Sequence, residues 1–232
     1  MAPRAVTAVA HRGDPYHYRE NTLASVCSAL RKGADVVEVD VRLTLDGVPV
    51  LLHDRTLERL WGHPAPVATL TSDELSEATG DGVPAFAEAL EALLRHDGTA
   101  RMLIDLTEAE FAAPAVAAVR EAGAAERVYY CGQLSAMRAV REQDADAEIA
   151  MTWTTSLRPA GSLLADLAPR WLNLRFGLAD PDTVAWARDH GLLVAAWTAD
   201  WERSMSRLVT SGVDAITTNR LTALQRVLGR RC

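Results

Sequence analysis

Two carboxylates, Glu38 and Asp40, stand two residues apart in the β-branched run Val36-Val37-Glu38-Val39-Asp40-Val41. In a strand alternate side chains share a face, so the acids lie together and Val37, Val39 and Val41 lie opposite. The valine face is what a helix-covered strand buries. The acids then face inward, where an ionised pair is costly unless a cation compensates it, and a metal ion is the natural candidate. Downstream, Asp46-Gly47 is a tight-turn dipeptide that returns the chain to His53-Asp54, back near the acids. His11 closes an earlier apolar segment. Asp105 shares its side of segment 101–107 with Leu103 and Thr107, opposite Met102, Ile104 and Leu106, and so points inward as well. A third carboxylate near the first two makes an oxygen-rich site suited to a hard divalent cation, Mg²⁺ or Ca²⁺.

The elements that must position these residues alternate along the chain. Strands are expected at 6–12, 34–42, 48–53, 101–107, 127–131, 148–153, 171–176, 192–198 and 214–219. Helices are expected at 22–32, 86–95, 113–122, 135–143, 180–190, 201–211 and 221–228. The stretch 55–82, rich in Pro, Gly, Thr and acids, reads as mostly loop with one short helix at 72–77. A tight turn joins antiparallel strands and cannot make a parallel crossover, so 48–53 is a hairpin excursion after the second strand. Removing it leaves eight parallel strands, the number that closes a (β/α)8 TIM barrel, whose chemistry sits at the C-terminal strand ends. All five candidate residues fall at that end. No Gly-rich dinucleotide fingerprint follows the first strand, which disfavours a doubly wound sheet.

The 232 residues, 49% hydrophobic and 24% charged, suit one barrel domain spanning 1–232. A net charge of −7 disfavours a nucleic-acid binder and adsorption to anionic membranes. Lys32 is the only lysine. Cys27, Cys131 and Cys232 have neither zinc-site spacing nor a disulfide pattern and are expected to be buried or free thiols. The absence of a long apolar run makes a cytoplasmic protein without a membrane span the expectation. Trp197, ahead of Thr198 at a strand end, is a candidate substrate contact. Trp61, Trp153, Trp171, Trp186 and Trp201 are expected to pack helices or loops.

The ordered set His11-Arg12-Gly13, Glu20-Asn21-Thr22, Gly33-Ala34-Asp35, Glu38-x-Asp40, Thr44-x-Asp46-Gly47-Val48-Pro49-Val50 and His53-Asp54 resembles glycerophosphodiester phosphodiesterases of the PLC-like phosphodiesterase superfamily. Leu70-Thr71, Glu74-Leu75, Val83-Pro84, Glu88-x-Leu90, Trp197-Thr198 and Gly212-Val213-Asp214 extend the similarity over 7–219. The resemblance implies a (β/α)8 fold and metal-assisted cleavage of a small-molecule glycerophosphodiester to an alcohol and glycerol 3-phosphate, a reaction of lipid metabolism. It implies Glu38, Asp40 and Asp105 as ligands of one divalent cation, His11 and His53 as the acid/base pair, and Arg12 as a phosphate contact.

Two positions depart from the family pattern. Asp105-x-Thr107 stands where Glu-x-Lys is usual, which removes a positive charge that Arg12 or Arg175 would have to supply, and Asn219-Arg220 stands where Asp-Pro is common. The departures leave two alternatives open: phospholipase D-like cleavage of a lysophospholipid or another diester that ends at a cyclic phosphate, or a barrel that binds phosphate without turnover. The segment 55–82 is short for the family, which implies a compact, open site and slightly favours a soluble deacylated diester.

Overall fold

The computed structural model describes residues 5–96 and 98–230. Its strands are β1 (Thr7–His11), β2 (Val36–Leu43), β3 (Pro49–Leu51), β4 (Arg101–Leu106), β5 (Val128–Gly132), β6 (Ala150–Trp153), β7 (Trp171–Arg175), β8 (Leu193–Trp197) and β9 (Ala215–Thr218). Without β3, eight run parallel in the order β5-β4-β2-β1-β9-β8-β7-β6. The ring closes between β5 and β6, where Tyr130 bridges Ile149 in parallel and its N–H donates to the Glu148 carbonyl at 3.0 Å. This is the TIM barrel that the alternation requires.

Around it lie α1 (Leu23–Arg31), α2 (Glu58–Trp61), α3 (Ser72–Thr79), α4 (Phe86–Arg95), α5 (Ala112–Glu121), α6 (Leu134–Gln143), α7 (Gly161–Leu167), α8 (Pro181–Asp189), α9 (Glu202–Ser211) and α10 (Leu221–Val227). The sequence reading misses α2 and α7. Pro159, Gly161 and Pro169 bracket α7, and Leu167 is its one fully buried side chain, so the apolar periodicity that marks a helix is weak there.

Two apolar layers hold the barrel. Val37, Val39, Val41, Met102, Ile104 and Leu106 face outward under the helices, while Val9, Val36, Leu103, Tyr129, Cys131 and Trp171 fill the interior. Trp171, expected to pack a helix or loop, instead lies in the barrel interior stacked on Tyr129, and Trp201, for which the same was expected, is 71% exposed. Cys27 and Cys131 are free thiols, and Cys232 lies outside the described residues. Among the described residues no helix is long and apolar enough to cross a membrane.

The excursion pairs β3 antiparallel to β2, with Val41 opposite Leu51 and Leu43 opposite Pro49. Thr44 and Val48 close a loop of Leu45, Asp46 and Gly47, one residue longer than a two-residue turn, with Gly47 at φ 79°. Beneath it Val50, Leu52, Leu57, Val67, Leu75 and Val83 form a separate small core, so 55–82 is a compact appendage tied to the hairpin.

At the opposite end, two Gly-x-Asp turns fasten the strands. Asp35 accepts the Ala8 N–H of β1 at 2.7 Å, and Asp214 accepts the Val194 N–H of β8 at 2.9 Å. Asp214→Ala leaves that buried donor unpaired and is expected to destabilise the fold by about 1–3 kcal/mol, read as a lower urea midpoint at unchanged m. An unchanged midpoint refutes this role.

Candidate active site

The loop after β1 wraps a cluster of acids. Arg12 takes a left-handed φ of 57° that aims its N–H at Glu38 Oε2, 2.8 Å away. Gly13 follows at φ 86°, where an added Cβ would lie 2.6 Å from the Ser25 backbone carbon, so only glycine lets the loop lie against α1. Asn21, also left-handed at 54°, donates from Nδ2 to Asp40 Oδ2 at 2.7 Å and accepts the Asp40 N–H at 3.1 Å. The Arg12 guanidinium lies 3.1 Å from Asp40 through Nε and 2.8 Å from Glu20 through Nη1. Asp105, directly beside Asp40 in the β2–β4 register, completes a trio with one oxygen from each of Glu38, Asp40 and Asp105 within 4.8 Å of the others.

The two histidines reach the same cavity from opposite mounts. His11 stands at the end of β1, its Nδ1 donating to Asn219 Oδ1 at 2.8 Å; Asn219 in turn is held by Asp200 through Nδ2 and its own N–H, both at 2.8 Å. An amide oxygen only accepts, so Nδ1 carries the proton and Nε2, 3.9 Å from Glu38, keeps its lone pair in the neutral ring. His53 is carried by the hairpin; its Nδ1 meets Asp54 at 2.7 Å and its carbonyl is gripped by Arg42 Nε at 2.8 Å. Arg59 joins the two mounts by binding Asp54 and Glu20 together.

His11, Arg12, Glu38, Asp40, His53, Asp105, Thr107 and Trp197 all line one cavity of about 300 Å³ at the C-terminal strand ends. Every site residue read from the sequence is thereby brought together. Arg175 is not; it is exposed at the end of β7, outside the cavity lining. The residues that the sequence reading missed are the partners: Asp200 has no motif signal, Asn219 registered only as a departure, and Cys131 joins the wall from β5.

Charge is concentrated here without a matching number of cations. Burial, and then the charges of Asp40 and Asp105, push the Glu38 carboxyl well above its usual range; burial and Asp40 push Asp105 up to about 7. Burial and the neighbouring Arg12 lower His11, favouring the neutral ring. Asp54, by contrast, is held at about 2, chiefly by its bond from Arg59. Buried acids that resist ionisation together, and that offer only oxygen, fit a hard divalent cation.

The shift at Asp105 has a sign. Without a cation the folded protein keeps a proton that the unfolded chain releases near 3.8, so this contribution is full below about pH 4 and is lost as pH rises through about 7. The Tm of chelator-treated protein is expected to fall between roughly pH 5 and pH 8, with Asp105→Asn flattening the slope. Mg²⁺ or Ca²⁺ should raise Tm most at the alkaline end, where no proton need be displaced. A Tm that climbs across that window in chelator excludes the assignment.

Comparison with known proteins agrees with this geometry. Residues 11–223 match the model of the Glycerophosphoryl diester phosphodiesterase family. A glycerophosphodiester phosphodiesterase of Caldanaerobacter subterraneus subsp. tengcongensis is 26% identical over 91% of this chain and 93% of its own. The crystal structure of a glycerophosphodiester phosphodiesterase from Agrobacterium tumefaciens superposes with a TM-score of 0.81 at 25% identity, over 95% of this chain and 99% of that one. A phosphodiesterase of Oleispira antarctica, solved in complex with the product sn-glycerol-3-phosphate, has the same fold, with a TM-score of 0.84 at 23% identity over 96% of each chain. The match over nearly the whole barrel, from His11 to the last helix, places this chain in the glycerophosphoryl diester phosphodiesterase family of phosphoric diester hydrolases.

Proposed function

We propose that the protein hydrolyses small glycerophosphodiesters to an alcohol and glycerol 3-phosphate, with His11 and His53 exchanging protons and Glu38, Asp40 and Asp105 holding one divalent cation, Mg²⁺ or Ca²⁺. The observation that carries this is the pair of imidazoles, each anchored through Nδ1, opening on one cavity beside three clustered carboxylates. The product complex of the Oleispira relative lends support from a barrel of the same shape. Bound there, the cation would draw electron density from a phosphoryl oxygen.

The protein's own groups do the rest. Neutral His11 accepts through Nε2 the proton of the glycerol hydroxyl adjacent to the phosphate as that oxygen bonds to phosphorus. The phosphorus–alcohol bond breaks, and His53, 44% exposed at the hairpin mount, returns a proton to the leaving alkoxide. Water then opens the cyclic phosphate with the roles reversed. Among the described residues Arg12 is the one guanidinium in the cavity wall, and it serves the phosphoryl charge that a lysine would serve at position 107. Trp197 walls the substrate.

Phosphorus NMR of glycerophosphocholine and lysophosphatidylcholine digests, with each cation and with chelator, tests this reading. Glycerol 3-phosphate that disappears with chelator supports it; a cyclic phosphate that persists supports the alternative of stopping after the first step, which the shorter Asp105 and the missing lysine favour; inertness on both substrates supports a binding barrel. His11→Ala and His53→Ala are each expected to lower kcat by ~10²–10⁴-fold, and near-normal turnover in either refutes its role. Thr107→Lys places an ammonium on the cavity wall and should raise kcat by on the order of 10²-fold where charge limits the rate; no gain means Arg12 already suffices.

A further inference from the structure

Exposed apolar side chains are distributed unevenly over this molecule. Among the described residues all of the large ones but Leu94 stand on segments that leave the C-terminal strand ends. Tyr16 and Tyr18 follow β1, Leu157 follows β6, Phe176 follows β7 and Trp201 follows β8, with Leu45 at the hairpin tip. Because β6, β7, β8, β9 and β1 are consecutive around the barrel, the first five form one continuous arc of the rim. Leu157 at 76% and Trp201 at 71% exposure are far from any core. Helix surfaces elsewhere are polar, so random leftover apolar area does not explain the asymmetry.

Although the chain has a net charge of −7, the arc also carries arginines that make no ion pair among the described residues. Three of its loop carboxylates are committed to local partners, Asp14 to Lys32, Asp180 to the cap of α8, and Asp200 to Asn219 and Thr218, while of the acids that begin the next helices Glu202 pairs with Arg226 and Asp182 is exposed. Arg220 lies between two of the rim aromatics, 5.6 Å from the Tyr16 ring and 5.8 Å from that of Trp201, and makes no ion pair among the described residues. Arg175, beside the cavity residue Trp197 in the β7–β8 register, is likewise unpaired, and Arg158 stacks on Trp186 at 5.1 Å.

We propose that this arc docks the barrel mouth on an anionic phospholipid surface, with Trp201, Leu157 and Phe176 entering the interfacial layer and Arg220 and Arg175 meeting lipid phosphates. Aromatic rings with a polar edge and arginines without an ion-pair partner are what that layer accommodates. Global charge then opposes approach while local charge holds the docked state, since exposed charges beyond a Debye length are screened. The arc borders the catalytic cavity, so docking presents amphiphilic diesters to it; this last point rests on the phosphodiesterase reading above.

Co-sedimentation of the full chain with phosphatidylcholine vesicles, with and without phosphatidylglycerol, tests the proposal. Binding is expected to the anionic vesicles and to weaken with salt. Trp201→Ala combined with Leu157→Ala should lower the partition coefficient about tenfold or more, while hydrolysis of soluble glycerophosphocholine stays unchanged. Should that double variant fold poorly, Trp201→Phe keeps the ring volume, and brominated lipid should then quench less of the tryptophan emission than in the parent protein. No binding to anionic vesicles overturns the proposal. So does a dimer in sedimentation velocity that the double variant dissociates, because the arc is then a self-interface. Vesicle binding by a protein inert toward glycerophosphocholine supports docking and removes the catalytic reading.

Discussion

The structure depends on the cost of gathering three carboxylates at the mouth of a barrel. Glu38, Asp40 and Asp105 repel one another in a setting that water only partly screens, and the protein answers with fixed donors rather than with equal positive charge. The Arg12 N–H takes Glu38 Oε2, and the Asn21 amide and the Arg12 guanidinium both meet Asp40 Oδ2. To deliver them, the first loop holds two non-glycine residues in the left-handed region, a strain of about 1 kcal/mol or more each that the network repays. Such a site is built to receive a cation rather than to be stable without one.

The second requirement is that two histidines on unrelated segments present the same nitrogen. His11 gets its orientation from the last barrel strand by way of Asn219 and Asp200, and His53 gets it from its sequence neighbour Asp54. The hairpin that carries His53 has its own small core, so the rim of the cavity includes a unit packed independently of the barrel. Arg59, reaching from the appendage to Glu20, ties that unit to the loop that carries Arg12. The acids and both histidine mounts are thus coupled through one chain of charged hydrogen bonds and ion pairs, Asp54 to Arg59 to Glu20 to Arg12 to Asp40.

Net charge and local charge point in different directions in this molecule. A total of −7 is a sum over the whole surface, whereas recognition at the mouth is decided by the few side chains within a Debye length of it. On the β6-to-β1 arc Asp180 and Asp200 are taken up by a cap and a loop anchor, and aromatic groups stand outward beside arginines that make no ion pair among the described residues. Trp201, expected to pack a helix or loop, stands 71% exposed at the start of α9, with Arg220 5.8 Å from its ring.

The barrel was legible from the sequence because strand and helix periodicity are local and the parallel crossover is a strong constraint; all nine strands fall where the alternation puts them. Helix α7 was not, since a seven-residue segment with one fully buried leucine writes no periodic signal. The acids and histidines were legible through alternation and ordered spacing, which fix the face and the end of a strand on which each residue lies. What only the tertiary structure decided is who holds them. Asn219 is 208 residues from His11, and Asp40 and Asp105 become neighbours through strand register. Arg12 rather than Arg175 enters the cavity wall, because a left-handed residue at the end of β1 turns the chain over the acids, whereas β7 ends with its arginine outside the cavity lining. Sequence spacing specifies faces and ends of elements, and only the closed ring brings distant ends within hydrogen-bonding distance.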